Sequence, residues 1–231
     1  MENIKKTIFV LIVVLISICL LYINNGYQMY KKAIKEIGLS EKVSQIQEKE
    51  NYTTLSEMPE IYLDAVIAVE DHRFYNHNGI DIISIGRAAF NDLRTMSFIE
   101  GGSTITQQLS KNTYFTQEKR IERKIAEVFM AFSFEKHYTK KEILELYLNT
   151  AYFGNGYYTV KDASQGYFDK LPKEMNDGEA IMLAGIPNAP SVYNPIVNPK
   201  LAKQRQKQVI KKMVKYKKLT QEKANKIIAE N

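Results

Sequence analysis

The longest apolar run in the chain covers residues 7–23, TIFVLIVVLISICLLYI, seventeen residues without a charge, with Lys5 and Lys6 just before it. A helix of that length just spans a bilayer. The run is long for the apolar part of a cleaved signal peptide, and no small-x-small cleavage site follows it. Bulky Ile18 before Cys19 speaks against a lipoprotein. The pattern predicts a single retained transmembrane helix at 7–23, with residues 1–6 as a cytoplasmic N-terminus. Lys31, Lys32 and Lys35 on the far side offset Lys5 and Lys6, so charge alone does not set the orientation. Residues 24–54 are polar and charged without strong apolar periodicity, which predicts a stalk or loosely helical linker, and the folded domain is expected over 55–231.

Within that domain amphipathic stretches follow one another at helical spacing, with almost no alternating β pattern. Ser56 with Pro59 opens a helix through Ala65, Ala68 and Val69. Asp81 is placed to cap a second, through Ile85 and Ala89. A long helix is expected from about Ile121 to His137, and Thr139-Lys140-Lys141-Glu142 is a capping box for one through Tyr147 and Leu148. Asp177 is placed to cap another through Ala184. Gly101-Gly102 and Pro187-Asn188-Ala189-Pro190 mark loops. The expected fold class is mainly α.

Length and composition narrow this further. The 231 residues suffice for one anchor and one domain with a real core. The only cysteine is Cys19, which excludes an intrachain disulfide and a thiolate zinc cluster. Of the net charge of +6, the basic part lies in the tail: residues 200–231 hold eleven Lys/Arg against two Glu, and residues 1–199 hold twenty-one against twenty-four acids. A basic tail suits nucleic acid or an anionic lipid surface, and the anchor decides for lipid. The lysines of 211–218 fit either headgroup contacts or the solvated face of a closing helical hairpin through Leu219-Thr220 and Ile227-Ile228; the hairpin is the favoured reading.

Three segments carry candidate chemistry. In Glu70-Asp71-His72-Arg73-Phe74-Tyr75-Asn76-His77-Asn78-Gly79 a carboxylate pair ends an apolar helix, where apolar neighbours can tune an acid toward general-base work. A solvated acid pair is the commoner meaning of such a sequence. Gly101-Gly102-Ser103-Thr104-Ile105-Thr106-Gln107-Gln108-Leu109-Ser110-Lys111 offers amides, hydroxyls and a cation suited to sugar hydroxyls and phosphate oxygens, or a polar exposed turn. Arg123-Lys124-Ile125-Ala126-Glu127 places three charges within one helical turn, as a site wall or as surface ion pairs. Joined to Arg87, Lys111 and the two carboxylates, these cations suit a diphosphate. There is no P-loop or dinucleotide turn. His72, His77 and His137 lack metal-ligand spacing. Ser133-Phe134-Glu135-Lys136 matches Ser-x-x-Lys without the accompanying transpeptidase motifs, and is read as chance.

Together the segments resemble glycosyltransferase family 51, the peptidoglycan glycosyltransferases, in their monofunctional form, over most of 55–215. Glu70-Asp71-x-x-Phe74-x-x-His77-x-Gly79 is similar to the first family motif and Gly102 to Gln108 to the second. Arg123-Lys124-x-x-Glu127 resembles the third, Lys140-x-x-Ile143-Leu144-x-x-Tyr147-Leu148-Asn149 the fourth, and Arg205-x-x-x-Val209-Ile210 the fifth, with Ile where Leu is usual. The resemblance implies a lysozyme-like, two-lobed helical domain behind the single transmembrane helix. It implies a glycan-strand polymerase that passes the lipid-diphosphate-linked strand to the 4-hydroxyl of lipid II, with inversion to a β-1,4 bond. Glu70 would be the general base, and Glu127 would orient the site or assist the leaving diphosphate. Asp71, Phe74, Arg87, Ser103, Gln107, Gln108, Lys111, Arg123 and Lys124 would bind substrate. No metal ligand is assigned, and a divalent cation, Mg or Mn, is the one cofactor left open. Implied partners are lipid II, the nascent strand, the membrane and other cell-wall synthesis proteins, with no nucleic acid. The implied place is the bacterial cell membrane, single-pass, with the catalytic domain outside. Met96, Phe98 and Ile99 suit either a membrane-dipping surface or the core. The rival readings are a lysozyme-like muramidase or lytic transglycosylase, and a non-catalytic cell-wall scaffold; a scaffold is free to lose both motif glutamates, which are present here.

Overall fold

The computed structural model describes residues 2–95, 102–116 and 118–230. Eleven α-helices run through the described residues, and the only β feature among them is an isolated bridge between Gly154 and Tyr157. Gly101, Met96, Phe98 and Ile99 lie outside the described residues.

Helix α1 is continuous over Glu2–Glu36 and long and apolar enough to cross a membrane. Its N-terminal apolar side chains meet no protein: Phe9 and Leu15 are 67% and 62% exposed. Its other end packs on α6 (Ile121–His137). Gly26 permits that approach, because a Cβ there would lie 2.5 Å from the Ile125 side chain. Tyr27 and Tyr30 lie against Phe129 with ring centroids 5.1 and 6.0 Å apart, and the Tyr30 hydroxyl is 2.8 Å from Ser133 Oγ. Helix α2 (Leu39–Gln47) then buries Val43 and Ile46 in the core. The loose stalk expected over 24–54 is thus corrected to structure that belongs to the domain. Tyr27, Tyr30, Ala33 and Ile34 have the i, i+3, i+4 spacing of one helical face, and the lysines between them mask it.

Helix α3 (Glu60–Glu70) is apolar on nearly every side, and it is buried because α9 (Asp177–Gly185) and α10 (Pro199–Lys215) cover it. Small residues at the contacts, Ala65, Ala68, Ala180 and Ala184, are all at most 2% exposed and let the helices approach closely. Helix α4 (Ile82–Thr95) starts where Asp81 Oδ1 accepts from the backbone N–H of Ile83 and Ser84 at 3.0 and 3.1 Å. Helix α5 (Ile105–Tyr114) lies against α6 and α7 (Lys140–Leu148), and α7 opens with the Thr139–Glu142 capping box. Helix α8 (Val160–Phe168) also packs on α9. Two expected starts move. A 3-10 turn at Leu55–Glu57 precedes α3, which begins after Pro59. The cap of α9 is Asn176, whose Oδ1 accepts from Glu179 N–H at 2.9 Å, with Asp177 inside the helix.

The basic tail is a hairpin. Helix α11 (Gln221–Glu230) folds back against α10, burying Ala224 and Ile227. Lys218 pairs with Asp64 at 2.7 Å and Lys223 with Asp177 at 2.9 Å, so part of its charge answers carboxylates of the body. Helix α10 stops in a paired cap: Lys218 N–H donates to Met213 O at 2.8 Å and Lys217 N–H to Val214 O at 3.1 Å. This cap needs a left-handed residue, and Lys217 supplies it at φ +59°. Glycine adopts that conformation without the Cβ penalty. Lys217→Gly is therefore expected to raise stability by about 1 kcal/mol, measured as a higher denaturant midpoint of the detergent-solubilised chain at unchanged slope.

Candidate active site

Two adjacent acids at the end of α3 meet different partners. Asp71 leaves the helix at φ −155°, ψ 76°, and its side chain, 4% exposed, turns inward. There Asp71 Oδ2 lies 2.9 Å from His77 Nε2 and accepts from Ile105 N–H at 3.1 Å, which fixes the first turn of α5. Gly79 closes the loop between them at φ +86°, where a Cβ would lie 3.3 Å from the Ala131 backbone, and its carbonyl accepts from Thr104 Oγ1 at 2.6 Å. Thr104 and Gln107 then form the reciprocal cap of α5, with Gln107 N–H donating to Thr104 Oγ1 and Thr104 N–H to Gln107 Oε1.

With α5 so placed, Gln108 meets Glu70. Its Nε2 donates to Glu70 Oε2 at 2.7 Å, while its Oε1 accepts from the Tyr147 hydroxyl at 3.3 Å. The phenol fixes which end of the amide faces the carboxylate. Glu70 Oε1 is buried without a hydrogen-bond partner, and so is the Tyr62 hydroxyl. Burial first, and the Glu70 charge second, push the Tyr62 and Tyr147 phenols far above their ordinary range, which keeps both as neutral donors. One oxygen of Glu70 is thus held and the other is left without a partner.

A second cluster lies on α5 and α6. Glu127, 1% exposed, is bound by Arg123 one turn earlier and by Lys124 Nζ at 3.0 Å, and Lys124 Nζ also donates to Ser103 Oγ at 2.6 Å. Lys111 links the clusters electrostatically. Burial lowers its pKa, the Glu127 charge opposes that, Lys124 and Arg123 lower it further, and Glu70 raises it. Its ammonium therefore senses both carboxylates in a half-buried place where added negative charge is welcome. Arg87 on α4 stands at a third edge, its Nη1 3.3 Å from His72 Nε2 and its Nη2 donating to Ser84 Oγ at 3.3 Å.

The structure thus joins Glu70 with Gln108 and joins Glu127 with Arg123, Lys124 and, through Lys124, Ser103, while Lys111 feels the charge of both acids. Three residues expected to bind substrate are instead interior. Asp71 is consumed by His77 and the α5 backbone. Gln107 is consumed by the cap. The Phe74 ring, fully buried, lies under Lys140 Nζ at 4.5 Å. Their motif positions reflect the need to hold the first two segments together. Sequence reasoning assigned no site role to Tyr62, His72, Tyr147 or Tyr216; His72 and Tyr147 sat inside quoted motifs, while Tyr62 and Tyr216 gave no signal. Glu127 has both oxygens matched by cations, and among the described residues no group of three His, Cys, Asp or Glu side chains stands together to hold an ion.

A carboxylate with one buried, unpartnered oxygen thus stands on α3, tied to α5, while a second carboxylate matched by Arg123 and Lys124 stands on α6. The chain belongs to the transglycosylase family, whose model matches residues 38–214, in agreement with the resemblance carried by its five motifs. It is 44% identical over 174 residues to penicillin-binding protein 1A of Neisseria gonorrhoeae, covering 75% of this chain and 22% of that one. It is 43% identical over 183 residues to penicillin-binding protein 2D of Bacillus subtilis, covering 79% and 26%. A crystal structure of penicillin-binding protein 1A from Haemophilus influenzae is similar at TM-score 0.47 and 23% identity, over 78% of this chain and 17% of that one. The chain spans about a quarter of the length of the curated relatives it matches.

The buried Asp71 carboxylate makes a sharp expectation. Asp71→Ala removes the partner of both His77 and the Ile105 amide and is expected to cost about 3 kcal/mol, read from the urea midpoint. Asp64→Ala, at a half-exposed pair, is expected to cost under about 1 kcal/mol in the same assay.

Proposed function

We propose that this chain polymerises peptidoglycan glycan strands, transferring the lipid-diphosphate-linked strand to the 4-hydroxyl of lipid II with inversion to a β-1,4 bond. The observation that carries this reading is Glu70: one oxygen is held by Gln108, and the other is buried, unpartnered and within the electrostatic reach of Lys111. That free oxygen takes the proton of the acceptor hydroxyl as the oxygen attacks the anomeric carbon from the face opposite the diphosphate. The leaving group is already stable as an anion and needs neutralisation more than protonation. Lys111, Arg123, Lys124 and Arg87 supply that positive charge. Glu127 spaces the Arg123 and Lys124 head groups and keeps the cluster from repelling itself.

The membrane enters through α1, which is read as a single-pass anchor with the helical domain outside the cell. Both substrates carry lipid tails, so confinement to one bilayer raises their effective concentration at the site. Other cell-wall synthesis proteins are proposed partners on the same ground. A strand-cleaving muramidase or lytic transglycosylase is the second reading. It needs a carboxyl kept protonated as general acid and would consume finished glycan rather than lipid II.

Incubating the full chain in detergent micelles with lipid II, and separately with finished glycan, distinguishes the two readings: strand growth is expected from the first and no cleavage from the second. Glu70→Gln is expected to lower polymerisation by about 10²- to 10⁴-fold with an unchanged unfolding midpoint. Activity in that variant near the parent's removes Glu70 as the base, and cleavage without growth removes the polymerase reading. Glu127→Gln, which leaves Arg123 and Lys124 unmatched, is expected to lose about 10²-fold in the same assay.

A further inference from the structure

The imidazole of His72 is held between two elements. On one side it stacks on the Tyr216 ring, with centroids 4.1 Å apart and planes at 18°. On the other, Nε2 lies 3.3 Å from Arg87 Nη1. Both supports are built firmly. Tyr216 is the residue at which α10 ends, fixed by the paired cap through Lys217 and Lys218. The guanidinium is steadied by a further chain, since Arg87 Nη2 donates to Ser84 Oγ, which donates to Asp81 Oδ2 at 2.5 Å, and Asp81 also holds Arg73 at 3.0 Å. Arg87 is the cation of the site whose anchorage comes from this side of the molecule.

We propose that His72 is a positioning residue for Arg87: clamped on Tyr216, its neutral imidazole accepts from the guanidinium and aims that cation at the diphosphate, so the end of α10 sets how well the site holds its anion. The assignment of diphosphate to Arg87 rests on the function proposed above. The chemistry requires the unprotonated ring, because an imidazolium has no lone pair at Nε2 and would face the guanidinium as a like charge. The surroundings favour that form. Burial lowers the His72 pKa, Arg87 lowers it further, and Asp71 and Asp81 pull the other way, with Arg73 adding to the lowering. From α10 the facing groups are the Tyr216 phenol and the Lys215 ammonium, 5.4 Å from the Tyr216 centroid.

The sign follows directly. Below the imidazole's titration His72 gains a proton, loses its hold on Arg87 and weakens anion binding; above it the hold is complete. The test uses the full chain in detergent micelles, with steady-state lipid II polymerisation and calorimetric titration of inorganic pyrophosphate. His72→Ala and Tyr216→Leu are expected to raise KM about 3- to 10-fold with kcat little changed, and to weaken pyrophosphate by a similar factor. Tyr216→Phe, which keeps the stack, is expected to behave as the parent. His72→Gln, which keeps an acceptor oxygen, is expected to recover most of the affinity and to flatten its acid-side loss. Equal losses in His72→Ala and His72→Gln, a fall in kcat alone, or the same pH profile in parent and His72→Gln would each overturn the proposal. A parent that binds pyrophosphate but does not polymerise lipid II removes the proposed function instead, and the pyrophosphate series still decides the role of His72.

Discussion

The site depends on one buried carboxylate that does no chemistry. Asp71 binds His77 and the first amide of α5, and through these it sets the distance between the end of α3 and the side of α5. Without that tie Glu70 and Gln108 would belong to separate surfaces. With it, the Glu70 carboxylate has a fixed donor on one oxygen, and the other oxygen has a defined direction. Enzymes gain more from such preorganisation than from the strength of any single contact, because the ordering cost is met during folding. The fully buried Phe74 and the capping pair of Thr104 and Gln107 serve the same tie from either side.

The electrostatic plan is a division of labour between two acids. Among the described residues Glu70 pairs with no cation and keeps an oxygen unpartnered, whereas Glu127 is matched by Arg123 and Lys124. A free base must not be locked in an ion pair, or its proton affinity falls too low to remove a proton. A row of cations must not stand alone either, since mutual repulsion would spread the side chains. The buried Glu127 holds Arg123 and Lys124 together, and the partly desolvated Lys111 feels the charge of both acids.

Much of this was legible in the chain. Helical periodicity, the Thr139 box and the Asp81 cap are local signals, set by neighbours within four residues, and they located helices well. The acids and cations were legible as types because short motifs kept them together. What could not be read were distinctions made by tertiary contacts. Nothing local says that Asp71 is tied to the start of α5 while Glu70 meets Gln108, since the tie depends on an amide thirty-four residues later. Residues 24–54 looked like a stalk because their sparse apolar face gains meaning only when α6 provides a complementary surface at Gly26 and Tyr30. Tyr216 lies outside every motif, and its stacking on His72 arises where α10 ends against the Glu70 loop.

The basic tail shows how the fold changes the meaning of composition. Read alone, eleven cations over 200–231 suggest a polyanion or a lipid surface. In the folded chain Lys218 and Lys223 answer Asp64 and Asp177, and Lys212 Nζ donates to the carbonyl of Val69 at 3.1 Å, beside Glu70. That carbonyl is one of the unsatisfied acceptors at the end of α3, and a cation there is matched to the negative end of the helix. Part of the tail is therefore a brace across the helix that carries Glu70. The brace and the His72 stack come from the same stretch of α10, so the closing hairpin is joined to the site at both its acid and its Arg87 edge.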